Sequence, residues 1–158
     1  MKLTSNEEYG LRCLVRIGLL GAGGSLTIPV ISKAEGVSSA YAAKILRILR
    51  QAGFITAARG KDGGYMLARP AEQIVIGDVI DALGGRLFET DFCSQHSGQQ
   101  SVCAHSVDCS VRSLWQTVQV AIDQVLSKMT LRDLLRNEEE MNSWVKNLPG
   151  SSGLSLIQ

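Results

Sequence analysis

The 158-residue sequence lacks two features that would direct it into or across a membrane. It has no apolar run long enough to span a bilayer, and it does not open with a charged segment followed by an apolar leader. Its composition is otherwise ordinary for a soluble protein. We therefore expect a cytoplasmic protein with no membrane partner. A chain of this length can form one domain with a real core, or a small domain and a dimerisation arm.

Acidic residues are absent between Gly36 and Lys61, although the net charge of the whole chain is only +1. The same stretch contains five basic residues: Lys44, Arg47, Arg50, Arg59 and Lys61. A local basic surface indicates nucleic-acid binding better than the total charge does. This stretch is therefore the candidate contact with double-stranded DNA.

Two short helices are predicted around a tight turn at the start of this stretch. The first begins near Thr27 and stops at Gly36, and the second runs from an N-cap at Ser38 to about Ala52. This is the pattern of a helix-turn-helix, whose second helix enters the major groove. A solvated basic face is the alternative interpretation. The residues predicted to contact DNA from this helix are Ser38, Ser39, Tyr41, Lys44 and Arg47.

Strand-like runs at 54–58 and 65–68 flank a basic, glycine-rich tip and predict a hairpin. A hairpin directly after a helix-turn-helix makes a winged helix. Arg59 and Lys61 at the tip are expected to reach DNA, because a narrow minor groove attracts cations. The tip could instead bind a nucleotide phosphate, but it lacks the G-x-x-x-x-G-K-[ST] pattern and does not precede a helix.

The first helix is predicted to open with a capping box formed by Ser5 and Glu8. An apolar stripe at helical spacing follows it and includes Cys13, which we interpret as a small buried apolar side chain. A brief helix at 76–83 follows the wing.

The other three cysteines, Cys93, Cys103 and Cys109, lie in residues 86–110, here named the cysteine segment, which has no helical apolar period. A loop this long is usually functional or disordered. In a cytosolic protein such thiols are more often metal-binding or redox-active than disulfide-bonded. The spacing C-x9-C-x5-C matches no C-x2-C zinc hook, and its wide gaps favour a larger iron-sulfur cluster. Zinc, or free reactive or structural cysteines, are the alternatives.

Apolar residues from Leu114 to Met129 recur at helical spacing and predict a long helix that needs a partner. A dimer would suit DNA, because two half-sites a helical turn apart supply twice the contact. Thr130 is predicted to cap a further short helix. The predicted fold class is mainly α with a small β wing: a winged helix-turn-helix plus a long dimerisation helix. Its parts are a DNA-binding domain (1–85), the cysteine segment as cluster-binding loop (86–110), the dimerisation and C-terminal helices (111–147), and a disordered tail (148–158).

Five segments carry a resemblance to a known family: MKLTSNEEYGLRCLVRI, GVSSAYAAKILRILRQAGF, RGKDGGYMLARP, IVIGDVIDALGG and MTLRDLL. Together, over about residues 1–136, they resemble the Rrf-two family of bacterial winged-helix regulators, whose members include sensors of iron-sulfur status and of nitric oxide. The resemblance implies a homodimer crossed through the long helix. It also implies one iron-sulfur cluster per subunit, held by Cys93, Cys103 and Cys109 near the first helix of the other subunit.

The fourth ligand differs between branches of that family. IscR-like members use a histidine three residues after the last cysteine, where this chain has Arg112. NsrR-like members use a carboxylate near the start of the first helix, and Glu8 stands at the matching place. Glu8 could instead cap the helix, and Glu7 could serve as ligand or cap in its place. Without a carboxylate, His96, His105 or an exogenous ligand would complete the cluster. The first cysteine gap is longer than usual, so both 2Fe-2S and 4Fe-4S clusters stay open.

These patterns predict a transcriptional repressor whose operator affinity is switched by an iron-sulfur cluster that senses redox state, nitric oxide or iron-sulfur status. The alternative is a clusterless regulator whose cysteines sense oxidants or thiols directly. An enzyme or electron carrier is disfavoured, because the sequence has no nucleotide fingerprint and no nucleophile-base pairing. The basic helix and wing argue against a module that does not bind DNA.

Overall fold

The computed structural model describes residues 4–58, 63–86, 88, 92–99 and 102–146. Its helices are α1 (Ser5–Gly18), α2 (Ile28–Glu35), α3 (Ser39–Gln51), a 3-10 turn (Ala71–Gln73), α4 (Ile76–Leu83), α5 (Phe92–Gln95), α6 (Ser110–Leu126), α7 (Leu131–Leu134) and α8 (Glu138–Lys146). Strands β1 (Ile55–Ala58) and β2 (Gly64–Leu67) form one two-stranded sheet. The predicted fold class is confirmed. Across the described residues, no helix has the length and apolar character to cross a membrane.

Helix α1 opens one residue earlier than its sequence pattern suggested. The N-cap is Thr4, whose Oγ1 accepts a hydrogen bond from Glu7 N at 3.4 Å, and Thr4 N donates to Glu7 Oε2 at 2.5 Å. The predicted capping box of Ser5 and Glu8 is therefore wrong. Thr4 and Glu7 have the same spacing and take that role, so Glu8 is not part of the cap.

Helices α1, α3 and α4 enclose the core. Cys13, Leu14 and Ile17 of α1 are fully buried together with Ile45 and Leu49 of α3. The interpretation of Cys13 as a buried apolar side chain is confirmed, and burial raises the pKa of its thiol to about 11. The helices α1 and α4 pack closely because Gly10 leaves room for the side chain of Leu83.

The wing is a regular antiparallel hairpin, with Ile55 opposite Leu67 and Ala58 opposite Gly64. Leu26 pairs with Tyr65 and attaches the hairpin to the chain before α2. Gly64 is needed there, because a Cβ at this position would lie 2.6 Å from the carbonyl oxygen of Leu26. The tip, 59–62, lies outside the described residues, as does the predicted disordered tail, 148–158.

Just beyond its C-terminal end, helix α6 is anchored to the start of α4. Ile76 N donates to Met129 O at 2.9 Å, and Leu131 N donates to Ile74 O at 2.8 Å. The predicted cap at Thr130 is confirmed, since Thr130 and Asp133 form a capping box for α7. Apolar side chains elsewhere along α6 are exposed: Val111, Leu114, Trp115, Val120 and Val125.

The burial of Cys13 generates a pH prediction. The folded state keeps the thiol protonated up to about pH 11, whereas a thiol in the unfolded chain ionises near its ordinary pKa of 9.0. The unfolded state therefore binds fewer protons between these values, and the stabilisation that is complete below pH 9 is lost as pH rises towards 11. We expect Cys13 to lower the free energy of unfolding by at most about 1.4 kcal/mol per pH unit in this window.

Urea unfolding of the parent and of Cys13→Ala between pH 8 and pH 11 measures this contribution. Other groups that titrate in the window are common to both proteins, so the difference between the two slopes isolates the thiol. Equal slopes in the two proteins would contradict the assignment of a buried, protonated Cys13.

Candidate DNA interface and cysteine segment

The start of α3 is fixed by serine hydroxyls. Ser38 Oγ accepts a hydrogen bond from Tyr41 N at 3.2 Å and caps the helix. Ser39 Oγ donates to Ser32 Oγ at 3.3 Å, and Ser32 Oγ donates to Val37 O at 2.6 Å. Gly36 closes α2 with a φ of 66°, a left-handed conformation that suits glycine. These contacts hold the turn between α2 and α3 in one shape.

Tyr41 connects α3 to α1. Its hydroxyl donates to Asn6 Oδ1 at 3.0 Å, and its ring meets the ring of Tyr9 edge to face at a centroid distance of 5.9 Å. The sequence pattern did not predict this contact, because Asn6 and Tyr41 are 35 residues apart. Tyr41 therefore sets the position of α3 whether or not it also contacts DNA.

Three cations are exposed along α3. Lys44, Arg47 and Arg50 recur every third residue on the side away from the core, and none of them takes part in an ion pair within the described part of the chain. Lys44 Nζ lies 6.0 Å from the ring centre of Tyr41. Unpaired cations on one helix face suit a row of phosphates. The other two predicted contacts, Arg59 and Lys61, lie outside the described residues.

The cysteine segment contains one turn of helix that its sequence pattern did not predict. Helix α5 is held by a column of rings, in which Phe88 lies 5.1 Å from Phe92 and Phe92 stacks on His96 at 4.1 Å. His96 Nδ1 lies 2.9 Å from Phe92 O. Cys93 is therefore presented from an ordered turn.

The three thiols are free and partly exposed. Cys109 is the N-cap of α6, where its Sγ accepts a hydrogen bond from Arg112 N at 3.3 Å. A helix N-terminus favours negative charge, so this position suits a thiolate ligand. Over the ranges that the structure describes, no three His, Cys, Asp or Glu side chains lie close enough to hold a metal ion. The soft donors fit an iron-sulfur cluster in chemistry, and the described chain does not gather them into one site.

The candidate fourth ligands differ in their surroundings. Glu8 is partly exposed on α1, and its Oε1 pairs with Arg12 Nη2 at 2.5 Å and with Nε at 2.7 Å. Glu7 is nearly buried within the helix cap. His105 is exposed in the cysteine segment, and His96 is stacked as described above. Of the two carboxylates, Glu8 is thus the one free to reach beyond its own helix.

Comparisons with known proteins cover most of the chain. Residues 3–137 match the family model described as Rrf2, iron-dependent transcriptional regulator. The protein named rrf2 from Nitratidesulfovibrio vulgaris is 36% identical over 137 residues, covering 87% of this chain and 89% of that protein. Other relatives are named as transcriptional regulators, a non-enzymatic role.

Two solved structures are similar in fold. The IscR structure from T. potens has a TM-score of 0.64 and 28% identity, covering 85% of this chain and 86% of that one. The B. subtilis structure described as CymR, the global cysteine regulator, has a TM-score of 0.65 and 25% identity, covering 85% and 96%. The family match spans most of the sequence and agrees with the winged-helix fold, and the chain belongs to the Rrf2 family of transcriptional regulators.

Proposed function

We propose that this protein is a homodimeric, cytoplasmic repressor whose affinity for its operator is switched by an iron-sulfur cluster, 2Fe-2S or 4Fe-4S, in each subunit. The observation that carries the proposal is the placement of three free thiols between the DNA-binding domain and α6, with Cys109 capping α6 itself. A change at these thiols acts directly on the helix that follows them. The description of the family as iron-dependent supports the same conclusion.

The proposed dimer forms through α6. Its exposed apolar side chains, among them Leu114, Trp115 and Val125, would otherwise face water over several helical turns. A second copy of the same helix offers a matching apolar surface, as in other helix-mediated dimers. Pairing through α6 would place two α3 helices on one DNA duplex, each in a major groove.

In this dimer, Ser38, Ser39, Tyr41, Lys44 and Arg47 of α3 contact the operator, and Arg59 and Lys61 of the wing reach the adjacent groove. Cys93, Cys103 and Cys109 would hold the cluster, with Glu8 of the other subunit as fourth ligand. The cluster would supply a centre that reacts with oxidants and nitric oxide. Loss of ligation would free Cys109 at the start of α6, and the separation and tilt of the two α3 helices would change with it. A typical allosteric coupling alters affinity by roughly 5- to 150-fold.

One observation favours a second candidate, a clusterless regulator that senses oxidants or thiols directly. In the described residues the three thiols are free and do not converge, and one structural relative is described as a cysteine regulator. Anaerobic purification followed by iron and sulfide analysis decides between the two. A colourless protein without iron, whose operator affinity changes on oxidation, would replace the cluster with the thiols as the sensor.

Replacing Lys44 with Ala should weaken operator binding and reduce its dependence on salt. Removing one cation from a phosphate flattens the slope of log affinity against log salt concentration by about 0.9. The slope is measured by fluorescence anisotropy with labelled operator at several salt concentrations. Lys128→Ala removes the same charge from an exposed position beyond α6 and serves as the control. A Lys44→Ala variant with the parent slope would remove Lys44 from the interface.

Single Cys→Ala changes at positions 93, 103 and 109 should each abolish or destabilise the cluster. Each removes one of three soft ligands, whereas Cys13→Ala changes a buried thiol of the core and should leave iron content and visible absorption unchanged. Iron, sulfide and absorption are measured on protein purified without oxygen. Full iron and an unaltered spectrum in all three variants of the cysteine segment would show that the ligands lie elsewhere.

Glu8→Gln should lose or alter the cluster, because a neutral amide is a much poorer ligand to iron than a carboxylate. The helix cap is untouched, since Thr4 and Glu7 form it. Glu7→Gln is the matched control: it changes the neighbouring carboxylate and keeps an oxygen for the cap. If Glu8→Gln and Glu8→Ala both keep the parent spectrum and iron content, Glu8 has no part in ligation, and His96, His105 or an exogenous ligand takes its place.

A mixed dimer tests whether Glu8 acts across the subunits. One subunit carries Glu8→Ala and the other Cys93→Ala. With ligation in trans, the intact cysteine segment of the first subunit meets the intact Glu8 of the second, so one cluster per dimer is retained. With ligation within one subunit, both sites are damaged and neither cluster stays.

A further inference from the structure

One polar side chain of α6 is buried although much of the helix is exposed. Gln119 is only 7% exposed, whereas Val120 beside it is 53% exposed. Both ends of its amide are used: Oε1 accepts a hydrogen bond from Phe88 N at 3.0 Å, and Nε2 donates to Asp123 Oδ1 at 2.8 Å. Gln119 therefore ties α6 to the backbone at the start of the cysteine segment.

Asp123 extends this contact to the DNA-binding domain. Its other oxygen, Oδ2, pairs with Arg86 Nη2, and Arg86 Nη1 lies 3.8 Å from Asp81 Oδ2 on α4. The four side chains of Asp81, Arg86, Gln119 and Asp123 are here named the α4–α6 latch. At this latch, α4, α6 and the first residues of the cysteine segment meet.

The latch also reaches towards the first thiol. The backbone N–H that donates to Gln119 belongs to Phe88, whose nearly buried ring packs on Phe92 at the start of α5. Cys93 is the next residue of that one-turn helix. Cys93 is therefore linked to Gln119 through the packed rings of Phe92 and Phe88 and the hydrogen bond from Phe88 N.

A buried side-chain amide is stable only in an arrangement that supplies its hydrogen-bond partners. An apolar side chain in its place would pack without requiring partners, whereas a buried amide that loses its partner is strongly disfavoured. Gln119 therefore has one satisfied geometry, in which the Phe88 amide and Asp123 are both in place. A side chain with this property can separate two arrangements of the elements that it joins.

We propose that Gln119 is the positioning residue through which the state of the cysteine segment reaches the DNA-binding domain. While the thiols are held, Phe88 N–H stays on Gln119 and the α4–α6 latch fixes the angle between α6 and α4. When the cysteine segment rearranges, Phe88 N–H moves away and Gln119 Oε1 loses its hydrogen-bond donor. The α4–α6 latch then no longer fixes the angle between α6 and α4. This inference rests on the proposed sensing function and assigns the route by which sensing takes effect.

The test compares operator affinity with and without the cluster in three variants. Gln119→Leu keeps the bulk of the side chain and removes both hydrogen bonds. Gln119→Glu keeps the acceptor for Phe88 N–H and sets a carboxylate against Asp123. The double variant Gln119→Glu, Asp123→Asn exchanges donor and acceptor, so that both hydrogen bonds can form again. Gln124→Leu, at an exposed position of the same helix, is the control.

The operator has one dissociation constant for the protein with the cluster and another for the protein without it. We expect these two constants to differ by roughly 5- to 150-fold in the parent and in Gln124→Leu. In Gln119→Leu and Gln119→Glu their ratio should fall towards one while iron content and visible spectrum stay those of the parent. The double variant should recover most of the parent ratio. If Gln119 has only a structural role, its substitution will lower the melting temperature and leave the ratio of the two dissociation constants unchanged. That result overturns the proposal.

Hydrogen exchange at the Phe88 amide gives a readout that does not depend on DNA. It should be slow in the cluster-bound parent, faster once the cluster is removed, and fast in both forms of Gln119→Leu. Equal protection in the two forms of the parent overturns the proposal. If the parent assembles no cluster, the proposed function fails, and the same ratios and exchange rates are compared between reduced and oxidised protein. If Gln119→Leu does not fold, Gln119→Glu and the double variant decide the outcome.

Discussion

The close packing of α1 against α3 and α4 is the constraint on which the rest of the structure depends. Gly10 lets the side chain of Leu83 approach the backbone of α1, and Cys13 and Leu14 fill the space beneath α3. The same core contains Ile74, Met129 and Leu131, which anchor the C-terminal end of α6. Helix α3 and the residues that follow α6 therefore belong to one rigid body, because close-packed interiors transmit displacement and do not absorb it. Helix α6 itself is joined to this body through the α4–α6 latch, so its angle to α4 changes when the latch opens.

Periodicity and stop signals were enough to predict the winged helix. Gly36 and the N-cap at Ser38 marked the turn, and the bounds of α2, α3 and α4 follow the apolar pattern. The opening of α1 could not be read in the same way, because Thr4-Ser5 and Glu7-Glu8 offer two capping boxes of equal spacing. The hydrogen bonds in the structure show that Thr4 and Glu7 form the box. This leaves Glu8 outside the cap, in an ion pair with Arg12. An exposed ion pair contributes about 0–1 kcal/mol, so the pair with Arg12 holds the Glu8 carboxylate only weakly.

Two contacts that define the site were beyond sequence analysis because they join residues far apart in the chain. Tyr41 to Asn6 spans 35 residues, and Gln119 to the Phe88 amide spans 31. In the sequence, Asn6 and Gln119 are polar residues on helices with an exposed face, and nothing marks them as partners. The candidate cluster ligands are the opposite case, because the sequence reveals them and the described part of the structure does not assemble them. The cysteines and their spacing were plain in the sequence, whereas the described residues of the chain do not bring them together.

Helix α6 exposes several apolar side chains on one side and buries a polar one on the other. Leu114, Trp115 and Val125 face outward, where a second copy can cover them, while Gln119 faces inward against the cysteine segment. Breaking one buried hydrogen bond of this kind costs about 1–3 kcal/mol, which is the size of a typical coupling free energy between two sites. The loss of this one hydrogen bond is therefore large enough to account for a typical change in operator affinity. The same argument holds whether Cys93, Cys103 and Cys109 hold a cluster or react as free thiols, because the Gln119 contact depends on where the segment lies and not on what it binds.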